Sequence, residues 1–290
     1  MYGVKISVPQ NMDELFSALE QADVDTKILA GGTDLMAAMR HGKESPKRII
    51  DISQLNELKN IEYKDGYVFI GALVTFTELE NSPIIKKEAN CLREAAARIG
   101  SQQIRNMATI GGNIANAAPA ADGVAALLAL KAEVLTANGK EGQSWVPLDD
   151  LLVGNGKTRL SHREVISGVR FLKCPDGYKS AFAKVGQRSA VTVSQLVLSC
   201  MVKVEPANMR VEDCTIALGA VGPRCFLDRA TMAWIKGQVI GPAFQENLTA
   251  QLSGVIDSAI PGRASLPYKR AAIGGLVDDI RADLFADFHY

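Results

Sequence analysis

Neither sign of charge prevails in this 290-residue sequence: lysine plus arginine and aspartate plus glutamate both number 32. No run of lysine and arginine goes beyond two or three residues. A neutral chain without basic runs argues against nucleic acid as the main partner and against an electrostatically held membrane surface. Long apolar runs are also missing. No window approaches the roughly 18 uninterrupted apolar residues of a transmembrane helix, so no membrane insertion is expected. The opening MYGVKISVPQ has neither a cationic leader nor an apolar segment, which predicts no signal peptide and a cytoplasmic setting. In that setting the sequon at Asn247-Leu248-Thr249 is a chance match. Histidine is scarce: His41, His162 and His289 are too far apart in sequence to suggest a metal cluster. The five cysteines, Cys91, Cys174, Cys200, Cys214 and Cys225, are scattered, odd in number and never spaced C-x-x-C. They suit reduced structural thiols better than disulfides or a metal site.

What is present is an ordinary globular balance, 47% apolar and 22% charged, in a chain long enough for two or three compact units. Asn11 with Glu14 three residues on predicts a capped helix start, and Leu15, Ala18, Leu19 and Ala22 continue at helical spacing. TKILAGG and RIIDIS read as short buried strands, with TDLMAAMRHG between them as a helix closed by Gly42. IEYKDGYVFIGA predicts a hairpin turning at Asp65-Gly66, and EVLTANGKEGQSWVPL another turning at Asn138-Gly139. PIIKKEANCLREAAARIG reads as helix stopped by Gly100, DGVAALLALKA as helix and REVISGVRFL as strand. After the turn CPDG at 174–177 come SAFAKVGQR, the paired strands QLVLSCMVKVE and VEDCTIALGAV, and three helical segments. The expected class is α+β.

Two stretches invite a chemical reading, KILAGGTDLMAAM at 27–39 and TIGGNIANAAPAAD at 109–122. Each is expected to run from a strand-like approach through paired glycines into a helix. Glycines there let backbone approach a ligand, and unpaired N–H groups at a helix start form a cradle for phosphate. Thr33 and Thr109 add hydroxyls, and Asn113 an amide. Taken singly, each turn is as readily explained by tight packing, and Asp122 serves equally as an N-cap or as a ligand contact. Neither turn is a G-x-G-x-x-G, and LLVGNGKT at 151–158 fails as a P-loop because Leu151 stands where its first glycine belongs. These residues lead to a phosphate-bearing cofactor held between two glycine turns.

Together, in this order and about 75 residues apart, AGGTDL and QIRNMATIGGNIANAAPAAD resemble the two signature turns of the flavin subunit of the molybdenum hydroxylases. That family includes xanthine, nicotinate and carbon monoxide dehydrogenases and 4-hydroxybenzoyl-CoA reductase. RIIDISQLNEL, IGALVTFTEL, EVISGVRF, AFAKVGQR and YKRAAIGGLVDDI extend the likeness almost end to end. The resemblance implies a PCMH-type FAD-binding domain of two α+β subdomains, then a smaller α+β domain of the carbon monoxide dehydrogenase flavoprotein C-terminal type. The expected limits are 1–175, with subdomains of about 1–56 and 57–175, and 176–290. It further implies that Ile28, Leu29, Ala30, Gly31, Gly32, Thr33, Asp34 and Leu35 wrap the FAD pyrophosphate. Thr109, Ile110, Gly111, Gly112 and Asn113 close over the dinucleotide from the other side. Asp122 matches an acidic residue that hydrogen-bonds the cofactor, and Gly100, Ile166 and Lys184 match positions beside it. By residue type alone Ile166 is core-like and Lys184 equally a surface lysine. Two departures stand out. Ala121 replaces a serine that several relatives carry before the aspartate, and no cysteine lies between Cys91 and Cys174 to hold the extra cluster of the benzoyl-CoA reductase branch.

By the same resemblance the chain has no catalytic side chain and no metal site of its own. A small partner carries [2Fe–2S] clusters, a large one the molybdopterin-type molybdenum cofactor, and the whole is a dimer of heterotrimers. Electrons pass from molybdenum through the clusters to FAD and on to NAD⁺, NADP⁺ or another acceptor. Xanthine or a related purine is the first expectation for the substrate, from the length and GNGKTRLSHREVI; nicotinate or another N-heterocycle follows, and carbon monoxide last. Two other classes remain: a stand-alone flavoprotein oxidase, for which the histidines are badly placed, and a cofactor-free assembly protein, against which the intact glycine turns speak.

Overall fold

The computed structural model describes residues 3–186 and 192–285. Gln187 and Arg188 of AFAKVGQR, and His289, lie outside the described residues. The chain opens with β1 (Lys5–Ser7), α1 (Met12–Glu20), β2 (Thr26–Leu29), α2 (Leu35–Arg40) and β3 (Arg48–Asp51). The strands form a parallel sheet of order β1-β3-β2. Asn11 caps α1 by accepting the Glu14 N–H at 2.9 Å, while the Glu14 carboxylate reaches back to the N–H of Gln10. Leu15 and Leu19 are fully buried from that helix. By contrast α2 buries no residue, and Gly42 ends it at φ +69°.

Next come β4 (Ile61–Lys64), β5 (Tyr67–Gly71), α3 (Phe76–Asn81), α4 (Pro83–Glu88), α5 (Asn90–Ala97), α6 (Gln102–Arg105), α7 (Ile110–Asn116) and α8 (Asp122–Ala129). Strands β6 (Glu133–Asn138) and β7 (Gly142–Pro147), the short helix α9 (Leu148–Leu151) and β8 (Val165–Leu172) complete an antiparallel sheet of order β4-β5-β8-β6-β7. The hairpin at Asp65-Gly66 forms with both residues left-handed, φ +50° and +82°. The second hairpin differs from its expected turn. Asn138 folds it by accepting the N–H groups of Lys140 and Glu141, and the left-handed residue is Gly142, not Gly139. The single helix expected over 83–100 is broken at Ala89 (φ −150°). There Glu88 turns inward to accept from the Tyr63 hydroxyl at 2.8 Å and the Cys174 N–H at 2.9 Å.

The last part contains β9 (Tyr178–Gly186), β10 (Ser194–Glu205), β11 (Arg210–Gly219), β12 (Phe226–Leu227), α10 (Arg229–Ile235), α11 (Phe244–Ala259) and α12 (Leu266–Phe285). The sheet, of order β12-β11-β10-β9, is antiparallel throughout. One of its faces packs on α10–α12, through Leu198, Ile216, Leu252, Ile273 and their neighbours. The other face sends Phe182, Val197 and Ala217 into a core shared with α3–α5, α7, α8 and the antiparallel sheet before it. Helix α8 lies in that shared core and is buried on every side, which is why DGVAALLA is apolar all round except for one aspartate. That aspartate is the origin of the site.

Candidate functional site

The first glycine turn follows the end of β2. Gly31 packs so closely on the segment before α7 that a Cβ there would lie 1.7 Å from the carbonyl oxygen of Met107. Only glycine permits that approach, and it brings the two turns side by side. Gly32 sits at φ +72°, which lets the chain reverse into α2. Among the described residues, the N–H groups of Gly31, Gly32, Thr33 and Asp34 donate no hydrogen bond. Ile28, Leu29, Ala30 and Leu35 flank them half-buried, and Asp34 is exposed without capping α2. Four consecutive free amides at a helix start form a local concentration of positive dipole ends.

The second turn is built differently from its sequence expectation. Gly111 and Gly112 are not a strand-to-helix turn; they occupy the first turn of α7, which Thr109 caps by accepting the Gly112 N–H at 3.1 Å. Its amides are already used. The N–H of Ile110 donates to Val74, that of Gly111 to Ala72 and that of Asn113 to Thr109, each at 2.9 Å. Gly111 is required by packing, since its Cβ would lie 2.7 Å from that of Ala72. This turn therefore offers side chains, not a second amide cradle. The Asn113 amide oxygen is buried and without a partner, which is rare for a buried polar atom. It faces Gly123, where a Cβ would come within 2.7 Å of it. A hydroxyl-bearing ligand would satisfy that oxygen.

Asp122 is the first residue of α8, whose N-cap is Ala121, so the capping alternative falls. Its carboxylate instead accepts the Lys184 ammonium at 2.6 Å on one oxygen and the Ser194 hydroxyl at 2.6 Å on the other. The same ammonium donates to the Arg98 carbonyl at 2.6 Å. The pair is almost out of solvent, with 8% of the Lys184 side chain and 6% of Asp122 exposed. Lys184 is thus no surface lysine. Burial pushes the Asp122 carboxyl above its ordinary value, against the pull of Lys184 and Ser194. Gly100 (φ +49°) lies two residues beyond Arg98 and leans on Ile104, which keeps α5 from continuing into the cluster. Ile166 on β8 is buried in the core that also holds Ile110, Ile114 and Ala121.

The Asn113 amide oxygen lies against Gly123, the residue after Asp122, and Gly31 lies against Met107 and Ala108, so α7 and the segment before it touch both the first turn and the start of α8. Ser194 was not foreseen from the sequence. A small polar residue opening a strand gives no local signal, and its partner is 72 residues away. Its removal has a defined effect. Ser194→Ala leaves one Asp122 oxygen buried without a donor among the described residues, and a lower melting midpoint is expected, equivalent to about 1–3 kcal/mol. Thermal unfolding beside the parent protein reads this directly.

A pyrophosphate carries two negative charges and needs donors in fixed positions. The free amides of the first turn provide them, and the orphaned Asn113 oxygen provides a hydroxyl acceptor, so the residues present fit a dinucleotide. Comparison with known proteins agrees. Residues 2–171 match the FAD binding domain in molybdopterin dehydrogenase, and residues 181–282 match the CO dehydrogenase flavoprotein C-terminal domain. The nicotinate dehydrogenase FAD-subunit of Eubacterium barkeri is 33% identical over 95% of this chain and 94% of its own length. A putative xanthine dehydrogenase FAD-binding subunit of Escherichia coli (strain K12) is 34% identical over 68% of this chain and 67% of its own. Among solved structures, carbon monoxide dehydrogenase from Hydrogenophaga pseudoflava superposes with a TM-score of 0.88 at 26% identity, over 96% of this chain and 97% of that one.

Fold and site define a two-domain α+β flavoprotein. The chain belongs to the family of FAD subunits of the molybdenum hydroxylases, and its cofactor is FAD.

Proposed function

We propose that this chain is the electron-transfer subunit of a molybdenum hydroxylase that oxidises an N-heterocycle. The observation that carries the reading is the run of four free amides at Gly31–Asp34, on a turn that Gly31 packs against Met107 just before α7. The orphaned Asn113 oxygen and the buried Asp122–Lys184 pair support it. In this reading Ile28–Leu35 hold the pyrophosphate, Thr109–Asn113 close on the dinucleotide through side chains and packing, and Asp122 fixes a cofactor hydroxyl. Gly100, Ile166 and Lys184 line the flavin side. FAD, when bound, supplies the step between one-electron donors and a two-electron acceptor. The protein's residues hold it, exclude water and keep the Lys184 side chain in place through Asp122 and the Arg98 carbonyl.

The donor is a small partner with [2Fe–2S] clusters, a large partner carries the molybdenum cofactor, and the assembly is a dimer of such heterotrimers. NAD⁺ or NADP⁺ is the acceptor. Domains of 1–175 (subdomains of about 1–56 and 57–175) and 176–290 accord with three separate sheets. The five free thiols, and the lack of any helix among the described residues long and apolar enough to cross a membrane, are compatible with a cytoplasmic setting. For the substrate, GNGKTRLSHREVI favours xanthine or a related purine, whereas the match over nearly the whole length to a nicotinate dehydrogenase subunit favours a pyridine carboxylate. The test is co-purification of the complex and its assay with both heterocycles against NAD⁺ and NADP⁺. Turnover of either one supports the reading; a chain that carries FAD yet turns over neither contradicts the N-heterocycle assignment.

A further inference from the structure

Lys269, in the first turns of α12, is 8% exposed, unusual for a lysine. Its ammonium donates to the carbonyl of Ala220, in the loop between β11 and β12. Burial, with Arg263 nearby, holds the lysine below its ordinary value. Ala220 is itself strained. Its φ is +62°, a left-handed conformation that a residue with a Cβ seldom keeps unless its surroundings impose it. From that conformation its N–H donates to the Pro119 carbonyl at 2.7 Å. The Cys225 thiol, from the end of the same loop, reaches the Pro119 carbonyl at 3.4 Å and the Ala121 carbonyl at 3.6 Å. Ala121 is the N-cap of α8, and the next residue is Asp122.

We propose that Lys269 is a positioning residue for the cofactor pocket: it fastens Ala220 in its left-handed conformation, so that the 219–225 loop grips 119–121 and sets where α8 begins. The C-terminal helix thereby fixes Asp122, and through it Lys184 and Ser194. A lysine that merely filled space at the start of α12 would need no carbonyl partner on a strained residue. Nor would that residue's own N–H have to hold the segment leading to the site. Charge-assisted hydrogen bonds are the stronger kind, which suits one given the task of holding an unfavourable backbone angle.

This inference rests on the proposed FAD site, and the experiment separates the two. FAD is titrated into the full-length apoprotein, following flavin fluorescence, for the parent, Lys269→Met, Lys269→Arg, Ala220→Gly and the double variant Lys269→Met/Ala220→Gly. Thermal midpoints are recorded alongside. Lys269→Met is expected to bind FAD about tenfold more weakly, and Lys269→Arg to stay within about threefold of the parent. Ala220→Gly removes the strain that Lys269 restrains, so adding it to Lys269→Met recovers most of the lost affinity. A role confined to packing of α12 would not be suppressed by a change at Ala220. If Lys269→Met does not fold, Ala220→Val carries the test, since a β-branched residue resists the left-handed angle with Lys269 intact; weakened FAD binding supports the proposal. Parent-like affinity in Lys269→Met or in Ala220→Val, or no recovery in the double variant, overturns it. A parent chain that takes up no FAD overturns the proposed site itself, and this inference with it.

Discussion

Replacing Asp122 by alanine is expected to cost about 3–5 kcal/mol of stability, because it strands the Lys184 ammonium in a buried site. The two charges face each other at 2.6 Å with almost no solvent contact, so neither survives alone. Among the described residues, the Arg98 carbonyl would remain as the hydrogen-bond partner of Lys184. Removing both charges tests the explanation. A double variant Asp122→Leu/Lys184→Met exchanges the pair for apolar volume and should recover much of the lost stability, since well-packed apolar replacements of buried pairs are often neutral. It should not recover FAD. Chemical denaturation measures the stability, and flavin titration the binding. If the double variant regains both stability and FAD, the pair is structural alone.

The second large effect is at Gly31. Its missing Cβ is the space occupied by the Met107 carbonyl, which is backbone and cannot swing aside. Gly31→Ala must therefore push the two turns apart, with a strain of about 1–3 kcal/mol or more. Separating the amide cradle from Asn113 is expected to weaken FAD binding by about a hundredfold, near 2.7 kcal/mol. The neighbouring glycine is the control. At Gly32 a Cβ would meet only side-chain atoms, Leu29 Cδ1 and Met36 Cγ, each at 3.1 Å. Gly32→Ala then costs about 1–2 kcal/mol for its left-handed angle and stays far closer to the parent in affinity. Equal affinity loss at both positions would contradict the packing argument; flavin titration decides it.

The contrast between the two turns explains how far the sequence could be read. The first is local: a short strand, two glycines and a helix between residues 26 and 40, which periodicity and turn chemistry describe well. The second turn looked similar and is not. Glycine is a poor helix former, so Gly111 and Gly112 inside α7 are invisible to propensity. The cause at Gly111, the nearness of Ala72, lies some 40 residues upstream. The same holds for the pair. Asp122 stands out in the sequence as the lone carboxylate of its stretch and Lys184 only through family resemblance, but their bond spans 62 residues and Ser194 joins from further still. Asp65-Gly66 was legible because the turn depends on those two residues; at Asn138 the side chain took over the turn and moved its strained position to Gly142. The wholly apolar α8 carried the clearest unused signal. A short helix apolar on every side must be enclosed, and an aspartate at its start must find a charged partner.

The central claim is that the first turn's amides and the exposed face of Gly112 border the dinucleotide. The most direct measurement is the visible spectrum of the purified chain, with release and chromatographic identification of its cofactor, for the parent and for Gly112→Leu. Gly112 is exposed, and a Cβ there meets only the Thr109 hydroxyl at 3.0 Å, so a larger side chain extends into the site more than into the core. The account predicts bound FAD in the parent, and a folded, colourless variant with a nearly unchanged melting midpoint. A parent that stays colourless and takes up no FAD even with its partner subunits, or a Gly112→Leu chain that binds FAD as the parent does, would contradict it.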